Sequence, residues 1–154
     1  IVSDVAGCVI AELPSLSEQS EVFIAGLSMG GYGALRLGAK YAERFKGISA
    51  HSSVTRLGDI ERLVTRRPLP FRFSHPDEWN IQYWMKRNHD VLPPIRFDCG
   101  LDDVLLEGNR DLHARLDELG IAHVYEEFPG AHKWPYWAAH LRDTLAFFGD
   151  LSSQ

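Results

Sequence analysis

Cysteine is nearly absent: the 154 residues contain only Cys8 and Cys99. Two cysteines make neither a disulfide scaffold nor a cysteine-built metal site. They read as reduced thiols of a cytoplasmic protein. No uninterrupted apolar run approaches the roughly 20 residues needed to cross a bilayer, so no membrane span is expected. Basic residues are the minority, with 16 Lys+Arg against 21 Asp+Glu and a net charge of −5. That balance lacks the basic stripe of a nucleic-acid binder, and Arg66 and Arg67 form only a local pair on a solvated loop. HExxH, CxxC and a phosphate-binding glycine loop are all missing, so neither a metal nor an organic cofactor is expected. The opening IVSDVAGCVIAELP carries Asp4 and Glu12 and no basic leader, unlike a signal peptide.

What is present describes one domain. Apolar residues make up 45% and charged residues 24%, which suits a globular chain with a real core. No repeat, low-complexity tract or interdomain linker interrupts it. Strand and helix patterns alternate along its length, predicting a doubly wound α/β fold with a parallel sheet. A helix is expected over 3–12, with Val5, Cys8 and Val9 on one face, and Pro14 ends it. EVFIAGLS (21–28) reads as a buried strand, followed by a helix from Met29 to about Tyr41. GISAHSS (47–53), IRFDCG (95–100) and AHVYEEF (122–128) are the next three strands. Helices are expected over 109–119, ending at Gly120, and from Pro135 to Leu151, the latter with Trp137, Leu141, Leu145 and Phe148 at helical spacing. The stretch from Thr55 to Pro94, with five prolines (68, 70, 76, 93 and 94), is irregular except for a helix near Glu78–Lys86. The right-handed crossover rule places the strands in sequential order across the sheet.

Chemistry concentrates in three turns. Gly26-Leu27-Ser28-Met29-Gly30 matches G-x-S-x-G, between a strand and a helix, where a nucleophile elbow has to be. Side chains two positions from a nucleophile on so sharp a turn are expected to collide, which explains the glycines. Gly31 and Gly33 extend the small-residue requirement into the helix. Met29 opens that helix, so its backbone N–H is free to meet an oxyanion, aided by the helix dipole. A Rossmann dinucleotide loop is the rival use of such a turn, but glycines at 26, 30, 31 and 33 do not spell G-x-G-x-x-G.

The acid and the histidine should follow in the order Ser, acid, His, on loops at the carboxyl edge of the sheet. Leu101-Asp102-Asp103 follows the third strand, and Pro129-Gly130-Ala131-His132 follows the fourth. Asp103 is preferred over Asp102, with Asp98 third because it lies within a strand, where structural bonds are expected. Any of these acids alone could be a helix cap. Among the seven histidines, only His132 falls in a glycine-containing loop between a strand and a helix, while His51 ends a strand at the same edge and could line the pocket.

Together G-L-S-M-G-G-Y-G-A (26–34), C-G-L-D-D (99–103) and F-P-G-A-H-K-W-P-Y-W (128–137) resemble the putative-esterase family of α/β-hydrolases, over about residues 4–148. That family includes S-formylglutathione hydrolase (esterase D), tributyrin esterase-like enzymes and feruloyl esterases. The resemblance implies a triad of Ser28, Asp103 and His132, with Met29 as one oxyanion donor. It implies hydrolysis of a small-molecule ester or thioester through an acyl-serine intermediate. It also implies a longer domain, whose earlier strands and second oxyanion donor lie outside this chain. The strand ending at Ser28 is then expected at an exposed sheet edge, open to a completing chain or to homo-oligomerisation. Two other uses fit the same scaffold: acyl transfer or peptidase chemistry, and a non-catalytic interaction module. Trp134, Tyr136 and Trp137 are read as packing residues, and the 55–94 stretch as the wall of the substrate pocket.

Overall fold

The computed structural model describes residues 2–17, 19–63, 75 and 77–153. Arg66, Arg67, Pro68, Pro70 and Pro76 lie outside the described residues, as does the middle of the expected pocket wall. In chain order the elements are α1 (Val2–Glu12), β1 (Phe23–Leu27), α2 (Met29–Lys40), β2 (Gly47–His51) and α3 (Leu57–Leu63). There follow α4 (Ile81–Arg87), β3 (Ile95–Gly100), α5 (Leu106–Glu118), β4 (Val124–Phe128) and α6 (Trp134–Ser152). All four strands pair in parallel, in the order β1-β2-β3-β4. This is the α/β arrangement and the sequential strand order that the sequence predicts.

Element ends differ from expectation for local reasons. The second strand stops at His51 because Ser52 turns to φ 45, which no strand accommodates. The fourth helix begins at Ile81, later than expected, because Asn80 caps it by accepting the Tyr83 N–H at 3.1 Å. The seven-residue α3 is hidden in the stretch read as irregular; the buried Asp59 carboxylate accepts the Arg56 N–H at 3.2 Å and braces its first turn.

The two faces of the sheet have opposite chemistry. Ile48, Ala50, Ile95 and Phe97 face α2, α4 and α5, and join Leu35, Ile81, Met85, Leu112 and Leu116 in one apolar core. Burying each such large side chain contributes about 1.5–3 kcal/mol, so this face dominates stability. The alternate positions Ser49, His51, Arg96 and Asp98 are also buried, but are polar and point toward α6. There the Thr144 hydroxyl lies 2.6 Å from the Ser49 hydroxyl and 2.8 Å from His51 Nε2.

This polar face corrects the expected register of α6. Tyr136, His140 and Thr144, four residues apart, turn inward, while Leu141 and Leu145 stand 51% and 63% exposed. The reason is that Ser49, His51 and Asp98 need hydrogen-bonding partners, and an aliphatic stripe has none to give. Among the described residues β1 pairs with β2 alone, and Ala25 on it is exposed.

Candidate active site

The turn from β1 into α2 forces Ser28 to φ 54, ψ −118, a conformation that a non-glycine residue holds only when its surroundings over-determine it. They do. The Ser28 N–H donates to the His51 carbonyl at 2.9 Å, and the Ser28 carbonyl accepts from the N–H groups of Tyr32 at 3.1 Å and Val54 at 3.2 Å. Three backbone bonds thus fix the base of the side chain and aim Oγ out of the sheet's carboxyl edge.

Residues Pro129 to Lys133, between β4 and α6, carry His132. The Asp102 N–H donates to the Gly130 carbonyl at 2.8 Å and ties this loop to the one after β3. Gly130 has φ 142, and a Cβ there would lie 2.7 Å from the Tyr136 ring, so glycine is required on both counts. His132 Nε2 lies 2.9 Å from Ser28 Oγ, and His132 Nδ1 lies 3.0 and 2.9 Å from the two Asp103 carboxylate oxygens. Asp103 Oδ1 also accepts the Leu105 N–H at 2.8 Å. The Asp103 side chain has no solvent exposure and that of His132 has 18%, so the relay runs from a dry acid to an accessible serine. Burial alone would push the Asp103 carboxyl up. Hydrogen bonds from His132 and from the Leu105 N–H outweigh it and hold the group below the usual carboxylate range.

Comparison with known proteins gives this arrangement its lineage. The family model described as "Putative esterase" matches residues 2–148. The chain belongs to the putative-esterase family. An acetyl esterase of Caldicellulosiruptor saccharolyticus is 32% identical over 155 residues, covering 90% of this chain and 58% of that protein. Esterase Rv1288 of Mycobacterium tuberculosis is 32% identical over 136 residues, covering 71% of this chain and 30% of that protein. Among solved structures, the S-formylglutathione hydrolase of Staphylococcus aureus superposes with a TM-score of 0.79 at 21% identity, over 94% of this chain and 60% of its own. The chain therefore spans only part of the length of each of these relatives, and the structural likeness establishes an α/β-hydrolase fold.

Within this esterase-family chain the sequence-predicted residues sort clearly. Ser28, Asp103 and His132 are brought together, and Met29 follows Ser28 as the first residue of α2, where a backbone N–H has no partner within the helix. Asp102 is exposed and apart from the relay. Asp98 is structural, as its place in a strand suggested. Its Oδ2 lies 2.6 Å from Arg96 Nη1 and 2.7 Å from His51 Nδ1, and its Oδ1 accepts the Tyr136 hydroxyl at 2.7 Å. His51 does not line a pocket. Its ring is buried in that network, and only its carbonyl serves the elbow.

The elbow glycines are not equivalent, contrary to expectation. A Cβ on Gly26 would fall 2.2 Å from the Gly30 carbonyl oxygen, whereas one on Gly30 would meet nothing within 4 Å. The backbone of residue 30 fills the space beside residue 26, so only the first glycine is sterically demanded. Gly31 is confined by Ser53, while Gly33 is not confined at all. Tyr136 is buried and the Trp137 ring stands edge-on to His132 with centroids 5.0 Å apart, so both pack as expected. Trp134 is 72% exposed and meets the Trp137 ring edge-on, with centroids 5.4 Å apart. Sequence reasoning missed the network of Asp98, Tyr136, His51 and Thr144. The signal was available as polar residues at every second position of the second and third strands. Among the described residues no helix is long and apolar enough to cross a membrane.

Proposed function

We propose that this chain is the nucleophile-bearing part of a serine esterase, with Ser28, His132 and Asp103 as its triad. The reading rests on one observation: an unbroken relay from Ser28 Oγ through both ring nitrogens of His132 to a buried, ionised Asp103. His132 Nε2 accepts the Ser28 hydroxyl proton as Oγ attacks an ester carbonyl, and Asp103 holds the imidazole in the tautomer that leaves Nε2 free. The Met29 N–H, at the positive end of α2, donates to the oxyanion. His132 then returns its proton to the departing alcohol or thiol. Water cleaves the acyl-serine by the same steps in reverse. The chemistry of the triad needs no metal or organic cofactor.

The acyl group is proposed to be short, in keeping with similarity to an acetyl esterase. A second oxyanion donor is proposed to come from outside these residues, in a domain whose sheet continues beyond β1. The exposed Ala25 and the solvent-facing Leu141 and Leu145 support this, since each is apolar surface that a neighbouring segment would cover. That neighbour is a completing chain or segment, or a second copy. The compartment is proposed to be the reducing cytoplasm, in which the exposed Cys8 and the buried Cys99 stay free thiols.

Fluorophosphonate labelling read by peptide mass spectrometry tests the site. The expected result is a single label on Ser28, absent in S28A, and slowed by about 10⁴ in D103N because the imidazole loses its tautomer. A folded chain that takes no label, or takes it elsewhere, would overturn the assignment. Hydrolysis of short-chain nitrophenyl esters, with and without acceptor alcohols, then separates esterase from acyltransferase chemistry.

A further inference from the structure

We propose that His113, Asp117 and His123 form a binding site for a divalent transition metal, with zinc the best-matched ion, at the end of the sheet opposite the serine. The proposal is independent of the esterase reading. His113 and Asp117 stand four residues apart on α5, so their side chains share one face of the helix. His123 joins them from the connection leading into β4, just short of the strand that sequence reasoning extended over it.

One donor atom from each residue lies within 4.8 Å of the others. His113 Nδ1 is 2.8 Å from His123 Nε2, and the Asp117 carboxylate approaches His123 Nε2 at 3.9 Å and His113 Nε2 at 3.6 Å. His123 Nδ1 lies 2.7 Å from the Ile121 carbonyl, an acceptor, so the proton sits on Nδ1 and the Nε2 lone pair faces the cluster. A backbone carbonyl that fixes a histidine's tautomer in this way is the usual outer support of a metal-bound imidazole. Packing supplies the rigidity. The His123 side chain is 2% exposed and stacks on Phe97, and His113 stacks on Tyr125.

The outer two ligands face solvent, His113 at 40% and Asp117 at 64% exposure, so an ion can enter. Two imidazoles and one carboxylate match zinc and its neighbours in the first transition row, and not calcium or magnesium, which take oxygen donors. Seating the ion requires the two imidazole nitrogens to part from 2.8 Å to roughly 3.3 Å, the separation given by about 2.0–2.1 Å bonds in a tetrahedron. The exposed His113 can make that movement. Three protein ligands leave the fourth position to water. Because the site lies at the entry of β4, remote from His132 at its exit, the ion would clip the α5–β4 connection and stabilise the fold without acting on the ester.

Zinc and cobalt(II) titration of the chain, followed by calorimetry, thermal melting and the cobalt visible spectrum, tests this. One ion is expected per chain, with a raised Tm and the intense absorption of tetrahedral cobalt. D117N, an exposed substitution, should keep the metal-free Tm, whereas H113Q also gives up the stacking on Tyr125 and is judged by its affinity. Each should weaken binding by at least about tenfold, the loss that even an outer-shell partner brings. H132A, which removes a histidine that also faces a carboxylate, should bind as tightly as the parent. No saturable binding at micromolar zinc, affinity unchanged in both D117N and H113Q, or affinity lost only in H132A would each overturn the proposal.

Discussion

A methyl group placed on Gly26 would sit 2.2 Å from the Gly30 carbonyl oxygen, while one on Gly30 would occupy open space. G26A must therefore push α2 away from β1 and move Ser28 with it. We expect it to lose fluorophosphonate labelling and to melt at lower temperature. G30A should keep the fold and gain up to about 1 kcal/mol in urea denaturation, because alanine is the better helix former. Equal damage from both substitutions would contradict the asymmetry. At this scale the sequence was most informative. Ser28 and His132 could be named because each requires a rare local setting, a glycine elbow and a glycine loop following strands. Asp98 could be set aside because it lies within a strand, whereas Asp102 and Asp103, neighbours on one loop, look alike until one of them faces an imidazole.

Between the strands and α6, the polar face behaves as a unit. Asp98 is fully buried; burial would raise its carboxyl, but the adjacent His51, the Tyr136 hydroxyl and Arg96 reverse that and hold it below the usual range. The sign follows from linkage. A group whose folded pKa is depressed adds stability above its unfolded value of about 3.9, and loses it as pH falls through the lower folded value. Acid unfolding should therefore steepen in that window. In Y136F, which leaves Asp98 Oδ1 without its 2.7 Å donor, stability near neutral pH should drop by about 1–3 kcal/mol. Circular dichroism against pH and urea checks both, and a Y136F chain as stable as the parent would show that the bond is dispensable. Strand and helix existence was legible from hydrophobic period, but not which stripe of α6 turned inward. Leu141 and Leu145 looked like its buried face because the partners that attract Tyr136 and Thr144 lie on other elements, at polar positions of β2 and β3.

At the scale of the whole molecule, β1 pairs with β2 alone among the described residues. An edge strand with exposed backbone and apolar neighbours invites pairing with another chain. We expect the isolated chain to self-associate as its concentration rises in gel filtration. A longer polypeptide that continues the sheet should be monodisperse and turn over esters faster, by roughly 10²–10³ if it supplies the proposed second oxyanion donor. A monodisperse short chain of equal activity would refute both expectations. The strand order was readable from the α/β alternation and the crossover rule. Within 55–94 the helix near Glu78–Lys86 was legible and α3 was not, because α3 is only seven residues long and its first turn is braced by the local Asp59 carboxylate.

The strained backbone of Ser28 also restricts what can stand at position 28. A positive φ excludes a β-branched side chain, whose second γ-substituent would crowd the preceding carbonyl. Threonine, the smallest chemical change from serine, is thereby closed as a nucleophile at position 28. Cysteine, unbranched at Cβ, stays open. The turn thus selects among nucleophiles by shape before reactivity is tested, and substitution here can cross from an oxygen to a sulfur ester more readily than it can add one methyl group.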